Sequence, residues 1–121
     1  MKPTIVFVDD NEMMRAFLKM YYGQTYAAVV FSNAHEAYHW LHAGNKAQMI
    51  VADYRMPGAT GLDLLKRVKQ DPQLRHLPFF ILSGEAESKD RIAALEAGAS
   101  DYIPKPFHPK ELELRIQRFL A

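Results

Sequence analysis

The sequence contains no cysteine, so it can form neither a disulfide framework nor a zinc site built on thiolates. No apolar run approaches the ~20 residues that a membrane-spanning helix needs. The apolar stretch near the start is too short for a signal peptide, and no cleavage pattern follows it. Fifteen basic and 14 acidic residues give a net charge of +1, which provides no general attraction to nucleic acid or anionic lipid. We therefore expect a soluble, cytoplasmic protein that contacts neither membranes nor nucleic acid directly.

The composition is that of an ordinary globular protein. Hydrophobic residues make up 49% of the chain and charged residues 24%, enough for a buried core. The 121 residues suit one domain, and we expect a single domain over residues 1–121. Repeats, low-complexity tracts and internal linkers are absent from the sequence.

Two periodicities alternate along the chain and predict alternating strands and helices. Short apolar runs predict strands at residues 3–8, 27–31, 49–52, 78–82 and 102–103. Between them, apolar residues at helical spacing predict five helices. These stripes are Met14, Phe17, Leu18 and Tyr21; Ala37, Trp40 and Leu41; Leu62, Leu65 and Val68; Ile92 and Leu95; and Leu112, Ile116, Phe119 and Leu120. Asn33 is placed to cap the second helix, and Gly44 and Gly98 lie where helices should end.

Strands separated by helices cannot pair as hairpins, so the sheet should be parallel with helices on both faces. Five strand–helix units in about 120 residues indicate an α/β, flavodoxin-like (βα)5 sandwich with strand order 2-1-3-4-5. In such doubly wound sheets, ligands bind beyond the carboxyl ends of the strands. Functional residues should therefore lie directly after the predicted strands.

Residues suited to binding a ligand follow four of the five predicted strands, at the edge where the carboxyl ends of these strands lie. They are Asp9 and Asp10 after strand 1, Asp53 after strand 3, Ser83 and Gly84 after strand 4, and Lys105 after strand 5. Three carboxylates and one ammonium leave excess negative charge, which a hard divalent cation with oxygen ligands would neutralise. Mg²⁺ fits better than Ca²⁺, because the protein offers few ligands and waters can complete an octahedron. A carboxylate nucleophile beside Mg²⁺, an ammonium, a hydroxyl and a backbone N–H is suited to phosphoryl transfer.

Four short motifs carry a resemblance to a known family. They are VDD at residues 8–10, DYRMPGATG at 53–61, LSG at 82–84 and KPF at 105–107. Each motif is weak alone, but all four occur in order and each lies at the end of a predicted strand. Over essentially its whole length, the chain resembles the receiver domain of response regulators in bacterial two-component signalling.

The resemblance implies a role for each residue at this edge. Asp53 would be the phospho-acceptor, and the metal ligands would be Asp10, Asp9 acting through water or orienting a ligand, Asp53 itself and the backbone carbonyl of Arg55. Lys105, Ser83 and the backbone N–H of Gly84 would bind the phosphoryl group. Tyr102 would be the aromatic switch residue, and the Lys105–Pro106 peptide bond would be cis. The donor would be a sensor histidine kinase or a phosphotransfer protein.

The resemblance also implies a signalling switch rather than an enzyme with a separate substrate. Phosphorylation would alter the face formed by helix 4, strand 5 and helix 5. Leu114 lies ~200° around helix 5 from Leu112, so it should point to solvent on that face. We expect this face to bind a partner or a second copy of the chain after phosphorylation.

Several alternatives remain open from the residues alone. Asp9, Asp10 or Asn11 could cap the first helix, and Asp53 could be a turn residue. A flavin- or nucleotide-binding domain, a haloacid-dehalogenase-like phosphatase and a phosphorylation-independent docking domain are the competing functions. The acidic stretch after strand 1 is unlike the Ser/Thr/Gly-rich phosphate loop of a flavin- or nucleotide-binding domain. It also lacks the two aspartates, two residues apart, of a haloacid-dehalogenase-like phosphatase.

Two further features have simple interpretations. His35 and His39 are one helical turn apart but bring no third metal ligand, so they are interpreted as surface residues. Arg55 and Glu85 each lie two residues beyond a site residue. We expect them to pair across the mouth of the pocket and slow the water that hydrolyses the acyl phosphate.

Overall fold

A computed structural model, which describes residues 2–84 and 88–120, alternates strands and helices throughout. The elements are β1 (Thr4–Val8), α1 (Glu12–Tyr22), β2 (Ala27–Phe31), α2 (Ala34–His42), β3 (Met49–Asp53), α3 (Gly61–Gln70), β4 (Phe79–Ser83), α4 (Ser88–Glu96), β5 (Asp101–Pro104) and α5 (Pro109–Leu120). All neighbouring strands are parallel, and their order is β2-β1-β3-β4-β5. The predicted flavodoxin-like fold and strand order are confirmed.

Alternate residues of the central strands point to two separate cores, one on each face of the sheet. Ile5 and Phe7 pack with α1 and α5, whereas Val6 and Val8 pack with α2, α3 and α4. Because side chains alternate along a strand and both faces are covered, the central strands are continuously apolar. Every residue of β3 and β4 is buried, and these two strands carry the centre of the edge where ligands are expected.

The helices begin where polar side chains can satisfy their first N–H groups. The Asn11 side chain accepts from the backbone N–H of Met14 at 2.9 Å, so Asn11 caps α1. Asn33 caps α2 in the same way, as predicted. Since Asn11 is the cap of α1, neither Asp9 nor Asp10 is needed for that role.

Three residues of the predicted apolar helix stripes are exposed, so their predicted burial is wrong. Ile92 and Leu95 of α4 are 52% and 47% exposed, and Phe119 of α5 is 42% exposed. The fourth helix instead buries Ala94, and Phe119 touches Phe80 only edge-on, at 5.3 Å between ring centroids. Periodicity locates apolar positions but does not tell whether another element covers them. Leu114 is 50% exposed, so its predicted orientation is confirmed.

None of the helices described is long and apolar enough to cross a membrane.

Gly61 connects the packing of α3 directly to the end of β3. Its N–H donates to the Tyr54 carbonyl at 2.9 Å, and a Cβ at this position would collide with the carbonyl oxygen of Asp53. The first turn of α3 can therefore lie against β3 only because residue 61 has no side chain.

We predict that Gly61→Ala lowers the free energy of unfolding by about 1–3 kcal/mol, because backbone atoms must move to admit the methyl group. Gly84→Ala is the matched control, since a Cβ there meets no described atom within 4 Å. Urea unfolding followed by circular dichroism measures both variants. Equal stability of Gly61→Ala and the parent protein would contradict the close approach.

Candidate functional site

The carboxyl ends of the central strands place the predicted polar residues in one pocket. Asp9 is 1% exposed and Asp53 8% exposed, and Ser83 is also buried. Asp10 lies in the exposed rim beside them. The pairing of β1 with β3 brings the first acidic pair next to Asp53, as the predicted strand order required.

The Lys105 ammonium lies between the two buried carboxylates. Its Nζ is 3.1 Å from Oδ2 of Asp9 and 3.2 Å from Oδ1 of Asp53. The Lys105 side chain is only 22% exposed, so solvent and salt weaken this ion pair less than they weaken a surface pair. The backbone N–H of Lys105 donates to the Ser83 carbonyl at 2.7 Å, and its bond to Pro106 is cis. The loop after β5 is thus tied to the end of β4.

Asp9 is held at three points. Its Oδ1 accepts from the Asn11 backbone N–H at 2.9 Å, its Oδ2 accepts from Lys105, and its carbonyl accepts from Nη1 of Arg15 at 2.9 Å. Sequence reasoning did not identify Arg15, which lies on α1 and reaches back to the loop. Its position five residues after Asp10, on the helix that follows, is the only signal that the sequence offers. Asp9 is therefore a fixed carboxylate, whereas Asp10 lies in solvent.

Burial and charge act in opposite directions on the pocket. Burial raises the pKa of Asp53, the Lys105 ammonium lowers it, and the Asp9 carboxylate raises it again, with a net upward shift. For Lys105, burial lowers the pKa, but the attractions of Asp53 and Asp9 together raise it above the usual lysine value. The ammonium therefore keeps its proton and compensates two carboxylates that water solvates poorly.

The three carboxylates also form a donor set for a cation. Asp9, Asp10 and Asp53 each offer an oxygen, and these atoms lie within 4.8 Å of one another. Within the described ranges, no other group of three histidine or acidic side chains meets this geometry. Hard oxygen donors with one exposed side suit Mg²⁺, which keeps several of its waters. The residues present therefore fit the predicted metal.

The other residues with a predicted role lie around the Asp53 pocket. Tyr102 is half-buried against the core that includes α3, as is Tyr54, whose hydroxyl lies 3.5 Å from Asp90 of α4. Arg55 and Gly84 are exposed on the flanking loops, and their predicted roles stay predictions. The expected Arg55–Glu85 pair falls partly outside the described residues.

The strand order, the two-sided core and the acidic pocket together define a flavodoxin-like α/β domain with a cation-binding edge. The model of one family, the response regulator receiver domain, matches residues 5–117. The chain belongs to this family, whose members are signalling proteins and whose general role is phosphorylation-dependent switching. Receiver domains bind Mg²⁺ at an acidic pocket and interact with histidine kinases and phosphotransfer proteins.

Individual proteins agree with this assignment. The chain is 36% identical over 120 residues to the chemotaxis protein CheY of Pseudomonas aeruginosa, covering 94% of this chain and 93% of that protein. It is 35% identical to the phosphate regulon transcriptional regulatory protein PhoB of the same species, covering 97% of this chain and 51% of the relative. The chain thus spans about half the length of this second relative. A response regulator receiver domain from Francisella superposes with a TM-score of 0.88 at 29% identity, covering 97% of this chain and 95% of that one.

We predict that Asp10→Ala separates metal binding from stability. Mg²⁺ affinity should fall more than about tenfold, since even outer-shell partners of a metal cost that much. Without metal, the free energy of unfolding should rise by on the order of 0.5 kcal/mol, because a like charge beside two carboxylates is removed. Isothermal titration with MgCl₂ and urea unfolding in EDTA measure the two effects.

The control for both measurements is Glu96→Ala, which removes an exposed carboxylate from α4. It should change neither quantity. Unaltered Mg²⁺ affinity in Asp10→Ala would remove Asp10 from the ligand set.

Proposed function

We propose that this chain is a phosphorylation-dependent switch that accepts a phosphoryl group on Asp53 from a histidine kinase or phosphotransfer protein. The observation that carries the proposal is the Lys105 ammonium placed 3.2 Å from Asp53 and 3.1 Å from Asp9, at the carboxyl edge of the sheet. A carboxylate that faces an adjacent cation at the open edge of a sheet is available as a nucleophile.

In the proposed step, one Asp53 oxygen attacks the phosphorus of the partner's phosphohistidine. A P–O bond forms while the P–N bond breaks, and the imidazole leaves with the electron pair. Lys105, the Ser83 hydroxyl and the Gly84 N–H would donate to the phosphoryl oxygens, where charge accumulates. Asp9, Asp10, Asp53 and the Arg55 carbonyl would hold Mg²⁺, which supplies positive charge between the carboxylates and the incoming phosphoryl group.

The signal would leave through the switch residues. A phosphoryl group on Asp53 draws the Ser83 hydroxyl inward, and Tyr102 turns into the space beside β4. This is a two-state element biased by one local charge. Tyr102 lies on β5, between α4 and α5, so its movement would alter the surface that carries the exposed side chains of Ile92, Leu95 and Leu114. Exposed large apolar side chains on α4 and α5 suit a protein partner or a second copy of the chain.

We predict that Asp53→Asn abolishes labelling. With Mg²⁺ and acetyl phosphate, the parent protein should gain one phosphoryl group that survives acid and is released by base, as an acyl phosphate is. Intact-mass spectrometry before and after base treatment measures it. Glu96→Gln, a change at an exposed acid on α4, is the control and should label normally.

Labelling of Asp53→Asn at the parent stoichiometry would overturn the acceptor assignment. Lack of labelling in the parent protein, together with failure to bind beryllofluoride, would favour a phosphorylation-independent docking domain.

A separate prediction concerns the output face. With Mg²⁺ and beryllofluoride the mass in solution should double, and Leu114→Glu should prevent the doubling because it places a charge in an apolar contact. Met20→Glu is the matched control, since Met20 is 62% exposed but lies on α1. Analytical ultracentrifugation distinguishes the species. Doubling that persists in Leu114→Glu would place the contact elsewhere.

A further inference from the structure

The solvent face of α2 carries two histidines one turn apart that the phosphoryl-transfer pocket does not use. His35 and His39 are both exposed, and their rings stack with centroids 6.2 Å apart and an interplanar angle of 27°. Residues four apart on a helix share one face, so the backbone keeps these two side chains beside each other. The two imidazoles thus already face the same side of the helix.

The helix that carries them is fixed at its start and along its buried side. Asn33 accepts from the Glu36 backbone N–H at 2.8 Å, which caps the turn that holds His35. Ala34, Ala37 and Leu41 are buried against the sheet. A ligand that binds both histidines would therefore meet them at a nearly constant backbone spacing, with little ordering cost.

Two other histidines, His42 and His108, are engaged elsewhere. His42, the next histidine on α2, has Nδ1 3.0 Å from Oδ2 of the buried Asp71. His108 accepts from the Lys110 backbone N–H at 3.2 Å. By contrast, no hydrogen bond to another described residue holds the ring nitrogens of His35 or His39. Both side chains are exposed, so their nitrogens can ligate.

We propose that His35 and His39 form a binding site for a divalent transition-metal ion of the zinc class. Neutral imidazole is a preferred ligand of Zn²⁺, Ni²⁺ and Cu²⁺. Each Zn–N bond is about 2.0–2.1 Å, so the two ligating nitrogens can be at most about 4.2 Å apart. The ring centroids are 6.2 Å apart, and rotation of the two exposed side chains would bring their nitrogens to this separation. Water completes the coordination, and Glu36, which lines the same groove, contributes a nearby negative charge.

The site is one of binding and not of peptide hydrolysis. The spacing His-Glu-x-x-His at residues 35–39 is also that of zinc metalloprotease helices. Those sites need a third protein ligand to hold the metal while a water is activated. In the described parts of the chain, no third histidine or carboxylate comes into range of this pair.

The chain contains its own reporter for this site. Trp40 is the single tryptophan of the sequence, and it lines the same groove as His35 and His39. Its ring lies 5.6 Å from that of Phe31 at the end of β2. A paramagnetic ion bound by the two histidines would quench the Trp40 fluorescence, and excess Mg²⁺ would keep that ion out of the aspartate pocket.

The experiment is a Ni²⁺ titration of the purified protein at pH 8, with tryptophan excitation and excess MgCl₂ to occupy the aspartate pocket. Fluorescence should fall to a plateau at one Ni²⁺ per chain with a dissociation constant of about 10–100 μM. Added Zn²⁺, which does not quench, should restore it by competition. His39→Ala should weaken binding at least about tenfold, since one of two protein ligands is lost.

Two control variants keep the result interpretable. His76→Ala removes an exposed histidine outside the groove and should bind Ni²⁺ as the parent does. Glu96→Ala removes an exposed acid on α4 and should also bind normally. The readout is Ni²⁺ binding, so the outcome does not depend on the proposed phosphoryl chemistry. Circular dichroism checks that α2 is intact in each variant. Equal quenching in His39→Ala, or no quenching in the parent protein up to about 1 mM Ni²⁺, would overturn the proposal.

Discussion

Two carboxylates that lie almost out of water at the end of adjacent strands set the constraint on which this structure depends. Asp9 and Asp53 repel each other, and burying either one without a counter-charge costs several kcal/mol. The Lys105 ammonium, brought from the far edge of the sheet, is within 3.2 Å of both. A parallel sheet makes this meeting natural, because every strand ends at the same edge. The fold therefore supplies the cation that makes its own acidic pocket tolerable.

The same arrangement couples the pocket to the rest of the domain. Lys105 is held to the end of β4 through its backbone N–H and to β1 through Asp9. Asp9 in turn is tied to α1 through Arg15 and the Asn11 N–H. New negative charge at Asp53 would compete with Asp9 for one ammonium, so its effect would reach β4, β5 and α1 without any long chain of contacts. An ammonium shared in this way suits a switch, since a local change of charge acts on several elements at once.

How far the sequence predicts this protein depends on the kind of contact. Strand positions, their order and the polar residues at their ends follow from apolar runs and a general rule for parallel sheets, and the structure brings Asp9, Asp10, Asp53 and Lys105 together as expected. The prediction that Ile92 and Leu95 form the buried side of α4 was wrong, because spacing reveals an apolar position but not what covers it. Arg15 was missed because its role is a tertiary contact to a backbone carbonyl, which leaves no local pattern.

The strand order also separates the surfaces on which the molecule can act. β2 and β5 form opposite edges of the sheet, so the groove beside Phe31 and α2 lies far from the face that carries Leu114. α2 packs on both the sheet and α3, and Tyr38 and His42 both contact the buried Asp71 at the end of α3. A ligand on the outer side of α2 would stabilise the native state by its own binding free energy. It would not need to touch Asp53 or Lys105, and its direct link to the pocket would be the hydrogen bond from the Asp9 N–H to the Phe31 carbonyl at 3.0 Å.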